Sequence, residues 1–147
     1  MSDLEELTAL VKRMAKETPL TKDDILDSES IKNEITDMLI IGAGSEAIFL
    51  AEKDDKLIGL MVVYISKSQF TGDRTGHERF WYVVPEQRKT NAGGKLFDMS
   101  MNWFSDKGLK RIYVGHHSKN SMVSRFFKKR GFKLLRKEYY LEVSNEH

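Results

Sequence analysis

Tyr82-Val83-Val84-Pro85-Glu86-Gln87-Arg88-Lys89-Thr90-Asn91-Ala92-Gly93-Gly94-Lys95-Leu96-Phe97 is the stretch on which the fold turns. Phe80 to Val84 is a run of aromatic and β-branched residues that reads as a buried strand. Pro85 stops it, because proline has no N–H to give to a sheet ladder. A short basic turn with small residues follows. From about Ala92 to Lys107 the residues Leu96, Phe97, Met101, Trp103 and Phe104 mark a helix, and Gly108 stands where a left-handed C-cap belongs. A strand that re-enters as a helix through such a turn leaves amide N–H groups unpaired at the helix N-terminus, where the macrodipole adds positive potential. That arrangement binds phosphate, and small residues let a pyrophosphate reach the main chain. Taken alone, the same pattern also describes an ordinary connection.

Working outward, residues 3–16 form an amphipathic helix with Leu4, Leu7, Val11 and Met14 on one face, and Pro19 lies just beyond it. A second helix runs from about Ser30 to Leu39, with Ile31, Ile35, Met38 and Leu39 on its apolar side. Ala47 to Glu52 and Leu57 to Ser66 read as a β-hairpin around Lys53-Asp54-Asp55-Lys56, followed by a polar loop at Thr71-Gly72-Asp73. Downstream, Arg111 to His116 is a strand. Asn120 caps a short helix that Gly131 closes, with Val123, Phe126 and Phe127 inside. Lys133 to Val143 is expected to be a closing strand or hairpin. The elements define an α+β protein, expected as a single domain over 1–147.

Composition narrows the chemistry. Hydrophobic residues make up 40% and charged residues 31%, as in an ordinary globular domain. With no cysteine, disulfides, thiolate metal sites and cysteine nucleophiles are excluded, and no metal is expected. The acidic N-terminus and the lack of a long apolar run lead us to expect a cytoplasmic protein with no membrane partner. Net charge is +2, unevenly spread. Residues 1–74 hold 9 Lys and Arg against 15 Asp and Glu, and residues 75–147 hold 15 against 7. A basic half suits an anionic ligand, either a phosphate-bearing cofactor or nucleic acid; a solvated face is the plainer account.

Two signatures in order bring a family into view. Arg88-x-x-Asn91-x-Gly93 resembles motif A of the GNAT N-acetyltransferases, Gln/Arg-x-x-Gly-x-Gly/Ala, with Asn91 in place of the first glycine. Asparagine is the residue that best replaces glycine in left-handed backbone, so the departure is mild. Asn120-Ser121-Met122-Val123-Ser124-Arg125-Phe126-Phe127-Lys128-Lys129-Arg130-Gly131-Phe132 resembles the second signature, Asn-x-x-Ala-x-x-Leu-Tyr-x-x-x-Gly-Phe. The resemblance covers about Ala47 to Val143. It implies a three-layer α+β fold whose central, mostly antiparallel sheet has splayed fourth and fifth strands. The family's first strand is missing here or is contributed differently.

The resemblance also implies a chemistry: transfer of an acetyl group from acetyl-CoA, as acyl-donor substrate, to a primary amine by direct attack. The main chain of Tyr82 and Val83 would pair with the pantetheine arm. The pyrophosphate would lie over Arg88, Lys89, Asn91, Ala92, Gly93 and Gly94, with Asn120 and Phe127 also at the cofactor. An amine of pKa near ~10.4 must lose a proton to react, so a base is needed. Glu78 is the catalytic residue expected at the matching point of the strand; an exposed strand-end carboxylate is its other reading. His116 and His117 read as a solvated pair or as a proton relay. Phe127 stands where many members carry a tyrosine thought to protonate the leaving thiolate. Two other functions stay open: a catalytically silent relative that binds acyl-CoA and acts through partners, and a nucleic-acid-binding module built on Arg125, Lys128, Lys129, Arg130, Lys133, Arg136 and Lys137. Phe126, Phe127 and Phe132 fit a buried helix face better than stacking platforms, so nucleic acid is the less favoured partner. The acceptor, a small molecule or a protein amine, is not specified by the residues, nor is pairing into a homodimer.

Overall fold

The hairpin shows most directly how residues dictate geometry. In the computed structural model, which describes residues 3–40, 44–116 and 120–143, β1 (Glu46–Lys53) and β2 (Lys56–Lys67) pair antiparallel. Their two-residue turn holds Asp54 at φ 52° and Asp55 at φ 62°. This is the left-handed pair of a type I′ turn, whose twist matches that of the strands. β3 (Arg74–Val83) pairs antiparallel with β2, and β4 (Arg111–Tyr113) pairs parallel with β3, giving the order β1-β2-β3-β4.

β3 begins at Arg74 and not at Phe80. Its first half is polar, so hydrophobicity hides it, and the ladder to β2 reveals it. β4 stops at Tyr113, short of the expected His116. A bulge in β3 opposite Val62 and Val63 leaves Arg79 as the extra residue. The bulge resets the alternation. His77, Arg79, Phe80 and Tyr82 therefore face one side of the sheet, and Gly76, Glu78, Trp81 and Val83 the other.

Helices α1 (Asp3–Glu17) and α2 (Ser28–Ile40) cover the first side. Leu7, Leu10, Val11, Ile35 and Met38 pack there on Leu60, Val62, Tyr82 and Val84. Asp27 caps α2: its carboxylate accepts from the N–H groups of Glu29 and Ser30 at 3.0 and 3.2 Å. Helix α3 (Ala92–Phe104) covers the other side, with Phe97 against the Trp81 ring at 5.4 Å. Gly76 permits that approach, since a Cβ there would stand 2.8 Å from the Phe104 ring. Helix α3 ends at Phe104, short of Lys107, and Gly108 takes its left-handed φ of 66° in the loop beyond. Among the described residues no strand precedes α1, and no helix is long and apolar enough to cross a membrane.

The chain divides into two compact units, Met1–Val114 and Gly115–His147. The sheet and α1 to α3 lie in the first. The second holds α4 (Ser121–Lys129), which ends on Gly131 at φ 88° with the Phe132 N–H on the Phe127 carbonyl at 3.1 Å. Lys133 to Val143 is not the expected strand or hairpin: residues 133–143 carry no regular structure, and Leu134, Leu135, Tyr139, Tyr140 and Leu141 are exposed. A strand needs a ladder partner, and the described residues of this unit offer a helix and no strand edge.

Candidate active site

Val84 and Pro85 lead from β3 into a single 3-10 turn, Pro85–Gln87, and α3 follows after Asn91. Asn91 lies at φ −87°, ψ 18°, so the left-handed backbone expected of it is not what the loop uses. Asn91 is instead the N-cap residue, and its side chain makes no capping hydrogen bond. The first ladder bond of α3 runs from the Lys95 N–H to the Asn91 carbonyl. Among the described residues nothing accepts from the amides of Gly93 and Gly94, while Ala92 donates weakly to the Thr90 hydroxyl at 3.3 Å. The helix thus presents uncapped N–H groups at its positive end, the arrangement that accepts phosphate. A Cβ on Gly93 would find only ordinary contacts, 3.7 Å to Val83 and 3.9 Å to Trp81, so internal packing does not demand glycine there. The Trp81 indole N–H donates to the Gly93 carbonyl at 3.1 Å and fixes this first turn against the sheet. Lys89 and Asn91 are exposed beside it.

The edge of β3 leads to this loop. β4 pairs with β3 only over Thr75–His77, so from Glu78 to Val83 no described strand occupies that edge. Antiparallel bonds alternate between edges, and Val84 donates to Ile58 of β2. By that alternation Tyr82 also turns its main chain to β2, which places its carbonyl beside Gly59, and the open edge carries the groups of Trp81 and Val83. The main chain of Tyr82, expected on that edge with Val83, faces β2 instead, and the Val83 carbonyl is taken by the Arg88 Nε at 2.8 Å.

Arg88 is more embedded than a loop arginine need be. Its Nε donates to the Val83 carbonyl at 2.8 Å, and its Nη2 meets the Glu17 carboxylate at 3.1 Å. The Tyr82 hydroxyl also donates to Glu17. Burial first, and then Glu17, push the Tyr82 phenol far above its ordinary range and keep it protonated. Arg13 of α1 holds Glu86 through both carboxylate oxygens, at 2.9 and 2.6 Å. Helix α1 therefore clamps the loop from below.

Where β3 and β4 part, four side chains stand in one cross-strand row on the α1/α2 side: Glu46, Tyr64, His77 and Tyr113. The rings of Tyr64 and His77 stack at 4.9 Å, and those of His77 and Tyr113 at 5.1 Å. Arg79 lies over the Tyr64 ring at 4.5 Å and pairs with Glu46 at 3.0 Å. The Arg79 Nε and the second Glu46 oxygen are buried without a hydrogen-bond partner among the described residues. Glu78 is paired with Val63 and points to the α3 side, away from this row. Hydrophobic patterning did not register the row, because its members come from four strands and only their register aligns them.

In the second unit the Asn120 side chain accepts from the Val123 N–H at 3.2 Å, the capping role expected of it. Phe127 is buried among the rings of His116, Phe126 and Phe132 at 5.6 to 6.0 Å. The Arg130 guanidinium covers a face of Phe126 at 3.4 Å. His117 lies outside the described residues. No group of three metal-ligating side chains occurs among those described.

No curated protein matches the sequence. Solved structures share the fold. A transcriptional regulator from Bacillus halodurans C-125 has a TM-score of 0.76 at 14% identity, over 96% of this chain and 93% of that one. An aminoglycoside acetyltransferase from an uncultured soil metagenomic sample, in complex with sisomicin, has 0.71 at 14%, over 97% and 91%. The aminoglycoside N-acetyltransferase AAC(6')-Iy, in complex with CoA, has 0.73 at 17%, over 95% and 88%. The model of the acetyltransferase (GNAT) family matches residues 8–132, so that an open strand edge, an uncapped helix and a sequence match agree: the chain belongs to the GNAT acetyltransferase family.

Proposed function

We propose that this protein transfers the acetyl group of acetyl-CoA to a primary amine by direct attack. The observation that carries the reading is the early parting of β3 and β4, which leaves the β3 edge open up to the uncapped N-terminus of α3. The residues present fit the donor. The amides of Gly93 and Gly94, with Arg88 and Lys89 alongside, suit a pyrophosphate, and the β3 edge from Glu78 to Val83, which no described strand occupies, suits an amide-bearing arm. Acetyl-CoA supplies the activated thioester when bound. The chain orients that thioester and must accept the proton that the amine loses; His77 and Glu78 stand where the two strands part.

Phe127 has no proton to give a leaving thiolate, which is what favours the second reading, a relative that binds acetyl-CoA without transferring its acetyl group. A thiol of pKa near ~8.5 leaves tolerably without a donor, so transfer remains the first reading. The deciding experiment incubates the protein with acetyl-CoA and a panel of primary amines, and follows free thiol and acetylated product. Thiol release that depends on an amine is expected; binding of acetyl-CoA with no release to any amine selects the silent relative.

A further inference from the structure

The imidazole of His77 is built into the sheet in a way that prepares one nitrogen for chemistry. Tyr64 and Tyr113 stack on its two faces with interplanar angles of 14° and 15°, so only its edge can meet another group. On that edge Nε2 lies 2.8 Å from the Thr75 hydroxyl. The Ser66 carbonyl lies 3.5 Å from the same hydroxyl, so that when Thr75 turns its proton there it accepts from the Nε2–H. In that arrangement the ring carries its lone pair on Nδ1. Among the described residues Thr75 is the hydrogen-bond partner of this ring, and Nδ1 has none.

Position matches preparation. His77 is the last residue of β3 that pairs with β4. An arm running along the open edge from the α3 N-terminus toward Glu78 spans about six residues, ~20 Å of strand, and ends at this closure. Among the described residues, the sheet brings Glu46 from β1, Tyr64 from β2, Arg79 from β3 and Tyr113 from β4 into the row of the ring. Glu46 and Arg79 are paired with each other.

We propose that His77 is the catalytic base, with Nδ1 accepting the proton of the acceptor amine. This rests on the acetyl-transfer reading above. The amine nitrogen bonds to the thioester carbonyl carbon, the carbon–sulfur bond breaks with its electron pair leaving on sulfur, and the amine proton passes to Nδ1. The imidazolium then returns the proton to the thiolate or to water. Burial holds the imidazole below its ordinary pKa of 6.5, which keeps it unprotonated at neutral pH. Thr75 is a positioning residue.

The test is the pH dependence of kcat for the wild type, His77→Phe, His77→Gln and Thr75→Val, using an amine that the wild type acetylates. Wild-type kcat should fall on an acid limb with its midpoint below pH 6.5. His77→Phe keeps a ring between Tyr64 and Tyr113. It should lower kcat by roughly 10²–10⁴-fold, abolish the acid limb and keep the thermal shift with acetyl-CoA. His77→Gln carries the comparison if the Phe variant does not melt cooperatively. Thr75→Val should move the acid limb with a smaller loss of rate. A wild-type profile without an acid limb below 6.5, or a His77 variant within about threefold of wild type, overturns the assignment. So does a Glu78→Gln variant that removes the limb while His77→Phe retains it. A wild type that acetylates no amine overturns the acetyl-transfer reading instead.

Discussion

Gly93 separates what the fold needs from what the ligand needs. A side chain there meets nothing closer than 3.7 Å, so Gly93→Asp should fold. An aspartate in the first turn even suits the helix dipole. It also places a negative charge where we propose that phosphate lies. We therefore expect a melting temperature close to wild type and no stabilisation by millimolar acetyl-CoA, read by thermal shift with and without ligand. A variant still stabilised by acetyl-CoA would move the phosphate site elsewhere. Phe127 is the companion case. If thiolate departure needs no donor, Phe127→Tyr should change turnover by less than about tenfold, a barrier change of ~1.4 kcal/mol. Turnover that appears only in the tyrosine variant would identify a protein that kept the cofactor site and lost catalysis.

Elements carry their own stability signals. The β1–β2 turn places two aspartates in left-handed backbone, where glycine has no steric cost. Asp55→Gly should therefore raise stability, by up to ~1 kcal/mol, in urea unfolding. Asn120→Ala removes the bond to the Val123 N–H that caps α4 and should cost ~1 kcal/mol. Two-state unfolding that is unchanged by Asn120→Ala, beside a frayed second unit in hydrogen exchange, would mean that α4 melts apart from the sheet. The bulge at Arg79 belongs to this scale as well. One inserted residue turns His77 and Arg79 to the same side as the α1/α2 core, while Glu78 goes to the other.

For the whole molecule, pH and salt are the levers. His77 is held below its ordinary pKa, so the native state binds fewer protons at this site than the unfolded chain does. Its contribution is fully present above pH 6.5 and is lost as pH falls through that value toward the lower native one. Asp27, Asp73 and Glu86 are also held below their ordinary values, chiefly by side-chain hydrogen bonds from Ser30, Thr71 and Arg13 respectively. Their contributions persist above about pH 4.5 and fade below it. The melting temperature should thus fall in two stages on acidification, and His77→Phe should remove the first. The excess of basic residues after Arg74 should make acetyl-CoA binding weaken as salt is raised. Neutralising Arg88 and Lys89 should weaken it more than neutralising Lys128, Lys129 and Arg130, as isothermal titration would read. The reverse order would assign the basic charge of the phosphate site to α4.

The sequence alone determined the elements whose signals are local. Apolar periodicity marks α1 and α3, the aspartate pair marks the hairpin, and a proline after a buried strand with small residues before a helix marks the loop that leads into α3. The family followed from two such local signatures in order. Tertiary structure decided what depends on partners distant in the chain. Polar residues 74–79 are strand because β2 pairs with them, and residues 133–143 are not strand because the described residues of their own unit offer no edge. Trp81 rather than Tyr82 faces the open edge because ladder bonds alternate, and Arg88 is tied to Glu17 across 71 residues of chain. The His77 row is of this kind too. Glu46, Tyr64, His77 and Tyr113 have no spacing in common along the chain, and only the register of four strands brings them into line.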